Sequence, residues 1–142
     1  SEVLKQTVYP WGDQYKPDAC ICADCWNTAA GGSLLKQGIS PGPLPVHRTG
    51  TGGMSAFGLV DIAGNLPEWT SSWYQAHKGN TLSHFRFGTQ VKIIKGGGWY
   101  SSRGSLRASA RDYGGIPNLD EDAVAGFRCV KRTSAEEYGH FE

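Results

Sequence analysis

Phe57-Gly58-Leu59-Val60-Asp61-Ile62-Ala63-Gly64-Asn65-Leu66-Pro67-Glu68-Trp69-Thr70 sits near the middle of the chain and packs apolar, glycine and acidic residues at short spacing. Asp61 and Glu68 offer two carboxylates, and Gly64 and Leu66 between them offer two backbone carbonyls. An all-oxygen donor set, part side chain and part main chain, is what a hard cation such as Ca²⁺ takes. The same residues also read as a strand ending in a turn, with Asp61 capping backbone N–H groups and Gly64-Asn65 turning the chain. Spacing alone leaves both open, and the surrounding chain must decide.

Upstream, residues 27–56 carry hardly any periodic apolar pattern. Ala29-Ala30-Gly31-Gly32-Ser33, Ser40-Pro41-Gly42-Pro43-Leu44-Pro45 and Gly50-Thr51-Gly52-Gly53-Met54-Ser55 are all loop composition. A stretch of this length without elements is functional or tied down, and a bound ion or a partner chain would serve. Residues 57–62 read as a buried strand or a short helix start. Downstream, Trp69 to Tyr74 is strand-like and residues 75–90 form an exposed polar excursion. Val91-Lys92-Ile93-Ile94-Lys95 is β-branched and reads as a central strand, ended by Gly96-Gly97-Gly98. Gly114 to Ala123 is an acidic, proline-containing loop, and Ala125 to Val130 a last short strand. At the other end, residues 1–9 suggest a short strand or docking arm before a Pro10-Trp11-Gly12-Asp13 turn. No segment sustains a helical period, so helices should be few and short.

The totals agree with a loop-rich single domain. The chain has 142 residues, 20 of them Gly, with 19% charged and 39% hydrophobic residues. Five Trp and six Tyr against one Met put much of the core into a few large rings. A formal net charge of +1 gives no field for nucleic acid. No apolar run approaches a membrane span, and Ser1-Glu2-Val3-Leu4-Lys5-Gln6 does not read as a signal peptide. Four cysteines, with many Trp and Gly, suit a secreted domain.

Three of those cysteines lie together. Cys20-Ile21-Cys22-Ala23-Asp24-Cys25 would let three thiolates converge on Zn²⁺ or Cu⁺, with Cys129, His47 or another molecule as fourth ligand. Disulfides or plain buried thiols compete with that reading and are favoured over it. His47, His77, His84 and His140 form no metal-spaced pair. No nucleophile elbow, phosphate loop or zinc-hydrolase signature is present. Arg103, Arg107 and Arg111 recur every four residues, but Gly104 and the serines argue against a helix. They read instead as structural partners for carboxylates such as Glu68, Asp112 or Asp122.

Four separated blocks together resemble one family. Tyr9-Pro10-Trp11-Gly12-Asp13 is similar to its Y-P-W-G-D block, and Phe57 to Trp69 to its F-G-L-x-D-M-x-G-N-V-W-E-W hallmark. Lys95-Gly96-Gly97-Gly98-Trp99 resembles R-G-G-S-W. Arg107-Ala108-Ser109-Ala110-Arg111 followed by Ala125-Gly126-Phe127-Arg128 resembles R-x-A-x-R and G-F-R. The family is that of the formylglycine-generating enzymes, or sulfatase-modifying factors. The resemblance implies an irregular α+β fold of low regular structure, related to the C-type lectin fold, with bound Ca²⁺. It implies calcium ligands at Asp61 and Glu68 by side chain and at Gly64 and Leu66 by carbonyl, and points to Asn27 and Thr28 for half of a second site. Gly50-Thr51-Gly52-Gly53 supplies no carboxylate for its other half.

Two departures from the family pattern bear on function. The oxidase members hold copper through a cysteine pair between the G-G-S-W and R-x-A-x-R blocks, where this chain has Tyr100-Ser101-Ser102-Arg103-Gly104-Ser105-Leu106 and then Ala108. Neither serine nor alanine is a soft ligand, so formylglycine formation is not expected. The family's earlier strands are also missing, so residues 1–132 read as the C-terminal portion of such a domain and 133–142 as a polar tail. A partner chain is then expected to complete it, either an N-terminal fragment or a complex subunit. The expected function is a non-catalytic, calcium-stabilised scaffold or binding subunit of a larger secreted or periplasmic assembly. Two alternatives stay open: a metal-dependent oxidoreductase with its site moved to the cysteine loop, and a lectin-like domain presenting Trp73, Tyr74, Trp99 and Tyr100 to a ligand.

Overall fold

The computed structural model describes residues 6–46, 52–116 and 124–130. His47, His140, Asp122, the first five residues and the polar tail lie outside the described residues. Two short 3₁₀ turns, Pro17–Ala19 and Cys25–Asn27, lead into helix α1, Ala29–Lys36. Three strands follow, β1 Glu68–Trp73, β2 Lys92–Lys95 and β3 Asp112–Gly115.

Helix α1 lies inside the segment whose composition suggested only loop. Its propensity is poor, with two adjacent glycines, but both ends are secured. The Thr28 side chain accepts from the Gly31 N–H at 3.2 Å, capping the N-terminus. At the other end Gly38, at φ +79°, bonds back to Leu35 and Ile39 bonds to Leu34, which ends the helix in a left-handed cap. Gly31 is a packing requirement: a Cβ there would collide with the Cys25 carbonyl and come within 2.6 Å of Trp26 Cα.

The strands make one antiparallel sheet in the order β1-β2-β3. Glu68 opposes Lys95 and Trp69 opposes Ile94, and a bulge separates these pairs from Trp73 opposite Lys92. On the far edge Ile94 opposes Asp112 and Ile93 opposes Tyr113. The strands expected at Trp69–Tyr74 and Val91–Lys95 are therefore present, while β3 extends into the segment expected to be an acidic loop. The last strand expected at Ala125–Val130 is reduced to one parallel bridge between Glu68 and Gly126. Residues 57–62 are neither strand nor helix. Ser55 folds them into a tight turn, its N–H donating to the Leu59 carbonyl at 2.8 Å and its Oγ accepting from the Leu59 N–H at 3.1 Å. Phe57 is left 69% exposed by that turn.

The buried cluster is centred on the cysteine segment rather than on the sheet. Tyr9, Cys20, Ile21, Cys22, Cys25, Trp26, Ala63 and Leu106 form it, with Trp11, Tyr15, Leu34, Leu44 and Trp99 packed against it. The Gly64-Asn65 turn fastens this cluster to the sheet. Gly64 N–H donates to the Gly96 carbonyl at 2.8 Å and Asn65 N–H to the Ile21 carbonyl at 2.6 Å. Asn65 also receives the Trp99 N–H at 2.7 Å, and its side-chain amide bonds both the N–H and the C=O of Leu44 at 2.7 and 2.9 Å.

At Gly64, φ is +79° and an added Cβ would lie 2.5 Å from the Ile21 carbonyl oxygen and 2.8 Å from Cys20 Cβ. Gly64→Ala is expected to cost roughly 2–4 kcal/mol, from the left-handed backbone and the forced separation together. Urea unfolding of the two proteins measures it, and a loss below about 0.5 kcal/mol would contradict the packing.

Candidate functional site

The loop from Asp61 to Glu68 contains three residues in left-handed backbone. Asp61 has φ +53°, Gly64 +79° and Asn65 +62°. Asp, Gly and Asn are the residue types that adopt this region most readily, and hydrogen bonds to the surroundings fix the loop in it. The Asn65 bonds described above do the holding. They leave the Gly64 and Leu66 carbonyls outside the hydrogen bonds made among the described residues. Glu68 begins β1, which fixes the second carboxylate at the end of the loop.

The Glu68 carboxylate has a partner that was quoted only as part of the G-F-R block. Arg128 Nε lies 3.2 and 3.1 Å from its two oxygens, and Nη2 lies 2.8 Å from Oε1. The same Nη2 donates to the Val60 carbonyl at 3.0 Å. A hydrogen bond from the guanidinium to Glu68 raises the Arg128 pKa further, so the cation is fixed. Glu68 was expected among the partners of Arg103, Arg107 and Arg111. Instead Arg107 bonds the Gly104 carbonyl, and Arg111 bonds the Gln75 carbonyl and lies over the Tyr74 ring. A planar guanidinium satisfies both carboxylate oxygens and a neighbouring carbonyl at once, and the 60-residue separation hides this pairing from local spacing.

The donors of the loop suit a hard cation in kind: two carboxylates and two carbonyls, with lone pairs on Glu68 beyond those that Arg128 uses. Of the second set expected at Asn27 and Thr28, the Thr28 hydroxyl is engaged locally. Thr28 Oγ1 donates to the Cys25 carbonyl at 2.7 Å and accepts from Gly31 N–H as the helix cap. Among the described residues no group of three or more His, Cys, Asp or Glu side chains forms a metal-holding cluster.

The aromatic residues expected to bind a ligand fall into two groups with different neighbours. Lys92 Nζ stands 3.5 Å over the Trp73 ring, and Tyr74 packs with His84 and Phe87. Trp99 packs against the buried cluster and meets Tyr100 edge-on at 5.5 Å.

The interval after Trp99 is held by two buried side chains, Ser101 and Leu106, with most of the residues around them exposed. Ser101 is buried, and its Oγ accepts from Gly98 N–H at 2.9 Å while its carbonyl takes the Ala23 N–H at 3.1 Å. Leu106 is fully buried. A cavity of about 70 Å³ remains, bounded by Pro67, Lys95, Tyr100, Ser101, Ser105 and Arg111 among others. Lys95 Nζ is already donated to the Ala108 and Ala110 carbonyls, at 2.7 and 2.6 Å. Burial, and then Arg111, lower its pKa.

All four cysteines are free thiols, three buried and Cys129 exposed. Thiol hydrogen bonds from Cys20 and then Cys25 hold Cys22 well below the usual thiol range. The same contacts with Cys22 push Cys20 and Cys25 up.

Comparison with known proteins supplies the context for this arrangement. The family described as Sulfatase-modifying factor enzyme 1-like domain matches residues 3–133. The chain is 30% identical over 132 residues to a Bos taurus protein named Inactive C-alpha-formylglycine-generating enzyme 2, covering 89% of this chain and 38% of that protein. It is 26% identical over 149 residues to the Mus musculus Formylglycine-generating enzyme, covering 89% and 34%. A Mycobacterium tuberculosis Formylglycine-generating enzyme is 35% identical over 74 residues, covering 49% and 22%. The chain thus spans well under half the length of these relatives.

Both members of the Arg128–Glu68 pair are partly exposed, at 33% and 24%, so the pair is screened and its coupling is expected to be about 1 kcal/mol. A double-mutant cycle of Arg128→Ala and Glu68→Gln in urea unfolding measures this. Arg128→Lys is expected to recover only part of it, because an ammonium cannot span both oxygens. Zero coupling would show that the pair adds nothing.

Proposed function

The chain belongs to the sulfatase-modifying factor enzyme 1-like domain family, and we propose that it serves there as a non-catalytic, calcium-stabilised scaffold or binding subunit of a larger extracytoplasmic assembly. The observation that carries this is the interval from Tyr100 to Ala108, in which only Ser101 and Leu106 are buried and no residue is a soft ligand. Where the resemblance places copper thiolates in the oxidases, this chain has serines and an alanine. Ser101 is committed to the Gly98 backbone and Leu106 fills the space beneath. Hydroxyl and methyl groups do not hold a soft metal. A relative carrying the word inactive in its name is consistent with a family that keeps the fold without the oxidation.

Calcium would be held by Asp61 and Glu68 side chains and the Gly64 and Leu66 carbonyls, with a structural role. It would neutralise two carboxylates near a loop whose backbone is strained at Asp61 and Asn65. A relationship to the C-type lectin fold would suit this division between an irregular calcium-pinned loop and a small sheet. A covering polypeptide is supported by large apolar side chains left outside: Leu82 is 77%, Phe85 85% and Phe127 80% exposed. The lectin-like alternative is less favoured, since the four aromatics fall into two groups and Lys92 covers Trp73.

Two measurements test the proposal. With Ca²⁺ at about a hundred times its Kd the chain is expected to gain about 2.7 kcal/mol, and chelation reverses this. Glu68→Gln should abolish that gain, and identical melting curves with and without chelator would sink the calcium assignment. Incubation with Cu⁺, O₂ and a cysteine peptide from a sulfatase is expected to give no formylglycine aldehyde. Aldehyde formation would overturn the non-catalytic role.

A further inference from the structure

Arg103 and Arg107 line one groove of about 610 Å³, together with Tyr9, Tyr15, Asp24 and Ser102. Both arginines are exposed, and among the described residues neither forms an ion pair. Arg107 Nε donates to the Gly104 carbonyl at 3.2 Å, which fixes the side chain and leaves both Nη groups for other partners. Arg103 makes no hydrogen bond among the described residues. The carboxylate on the groove, Asp24, accepts the Tyr15 hydroxyl at 2.8 Å and pairs with neither cation.

This deficit of negative charge begins in the sequence. Residues 69–111 hold half of the chain's 14 Lys and Arg and none of its 13 Asp and Glu. The overall charge of +1 conceals that segregation. Other cations of the stretch are absorbed by carbonyls: Lys92 by Ser71, Lys95 by Ala108 and Ala110, and Arg111 by Gln75. The groove is also built before a ligand arrives. Ala108 N–H donates to the Val8 carbonyl at 2.8 Å and Ala23 N–H to the Ser101 carbonyl at 3.1 Å, which joins the three segments that wall it. Ser105 N–H closes a turn on the Ser102 carbonyl at 3.1 Å, bringing Arg103 to the groove that Arg107 lines. Tyr9 stacks on Trp11 with ring centroids 5.3 Å apart, and the Tyr15 hydroxyl lies 3.5 Å from the buried Cys22 Sγ. Two cations held on a concave wall without counter-charge focus a positive potential there.

We propose that this groove binds a carboxylate-rich polypeptide segment. Each guanidinium is a planar fork that matches a carboxylate. Asp24 distinguishes a peptide from a bare oxyanion. Its second oxygen accepts nothing among the described residues, and it repels an anion that brings no donor. A peptide supplies backbone N–H groups for Asp24 and carboxylates for the arginines together. The phenol rings of Tyr9 and Tyr15 add surface for its apolar side chains. The groove shares no residue with the calcium loop. The proposal rests on the reading of the chain as a binding subunit and gives that reading a partner chemistry.

Fluorescence polarisation of the full chain with fluorescein-labelled Gly-Glu-Glu-Tyr-Glu-Glu amide is the test. Saturable binding is expected below about 1 mM, weakening as salt screens the charges. The same peptide with Gln for each Glu should bind about tenfold or more weakly. Arg103→Ala combined with Arg107→Ala should lose about as much, with an unchanged melting temperature. Replacing both by Lys should recover part of the loss, since an ammonium keeps the charge without the fork. Lys78→Ala, in the same acid-free stretch but outside the groove, should leave the affinity as it was. No saturation, equal binding of the Gln peptide, unaltered affinity in the double variant, an equal loss in Lys78→Ala, or displacement of the peptide by equimolar phosphate would overturn the proposal. Calcium stabilisation and aldehyde formation are measured on the same protein without peptide, so the groove can fail while the calcium-stabilised, non-catalytic reading holds.

Discussion

The structure depends on what Asn65 can reach from one left-handed position. Its N–H, its carbonyl and both ends of its side-chain amide are all bonded, to Ile21, Trp99 and Leu44. Those partners belong to three segments far apart in sequence. Such contacts matter more here than in a helical protein, because so little of the backbone is satisfied by regular elements. An amide side chain is suited to this role. It presents one donor and one acceptor side by side and mimics a peptide group, so it can pair with Leu44 as a strand neighbour would. Asn also tolerates positive φ better than most residues, which is what φ +62° requires.

Close backbone approach accounts for much of the glycine. At Gly31, Gly53, Gly64 and Gly96 an added Cβ would meet backbone oxygen of another segment. The buried cluster is small and contains three cysteines, so aliphatic bulk contributes less than usual and close approach of chains contributes more. The sheet plays a supporting part. It orients Glu68 at one end of β1 and brings Arg128 back beside it through the Glu68–Gly126 bridge.

Much of this was legible in the sequence, and the rest was hidden for definite reasons. β1 and β2 announced themselves by aromatic and β-branched composition, which suits a pleated, half-buried surface. The Asp61–Glu68 loop was legible as a turn with a donor set. Helix α1 was not, because its apolar residues are too few for a stripe and its glycines mislead. Its ends carried the usable signal, a Thr at the start and a Gly just past the end. β3 holds two glycines and is short, and it exists because Gly114 lets Trp69 and Ile94 pack where a side chain would stand. Arg128 as the partner of Glu68 and Tyr15 as the link between Cys22 and Asp24 are tertiary facts. No periodicity encodes a contact across 60 residues.

This arrangement also shows why the fold tolerates a change in chemistry. The bonds that hold the loop run through Gly64 and Asn65 to backbone groups of Ile21, Leu44, Gly96 and Trp99, and none uses a side chain from the interval after Trp99. That interval is anchored by its own means, Ser101 to Gly98 and Ala23, and Leu106 in the core. A soft-metal pair could be exchanged there for serine and alanine with no loss to the framework. The thiols of Cys20, Cys22 and Cys25 differ in this respect, since they are part of the buried cluster itself. A substitution at Cys20 would therefore act on the packing that the Gly64 turn rests against, whereas one beside Ser101 would not.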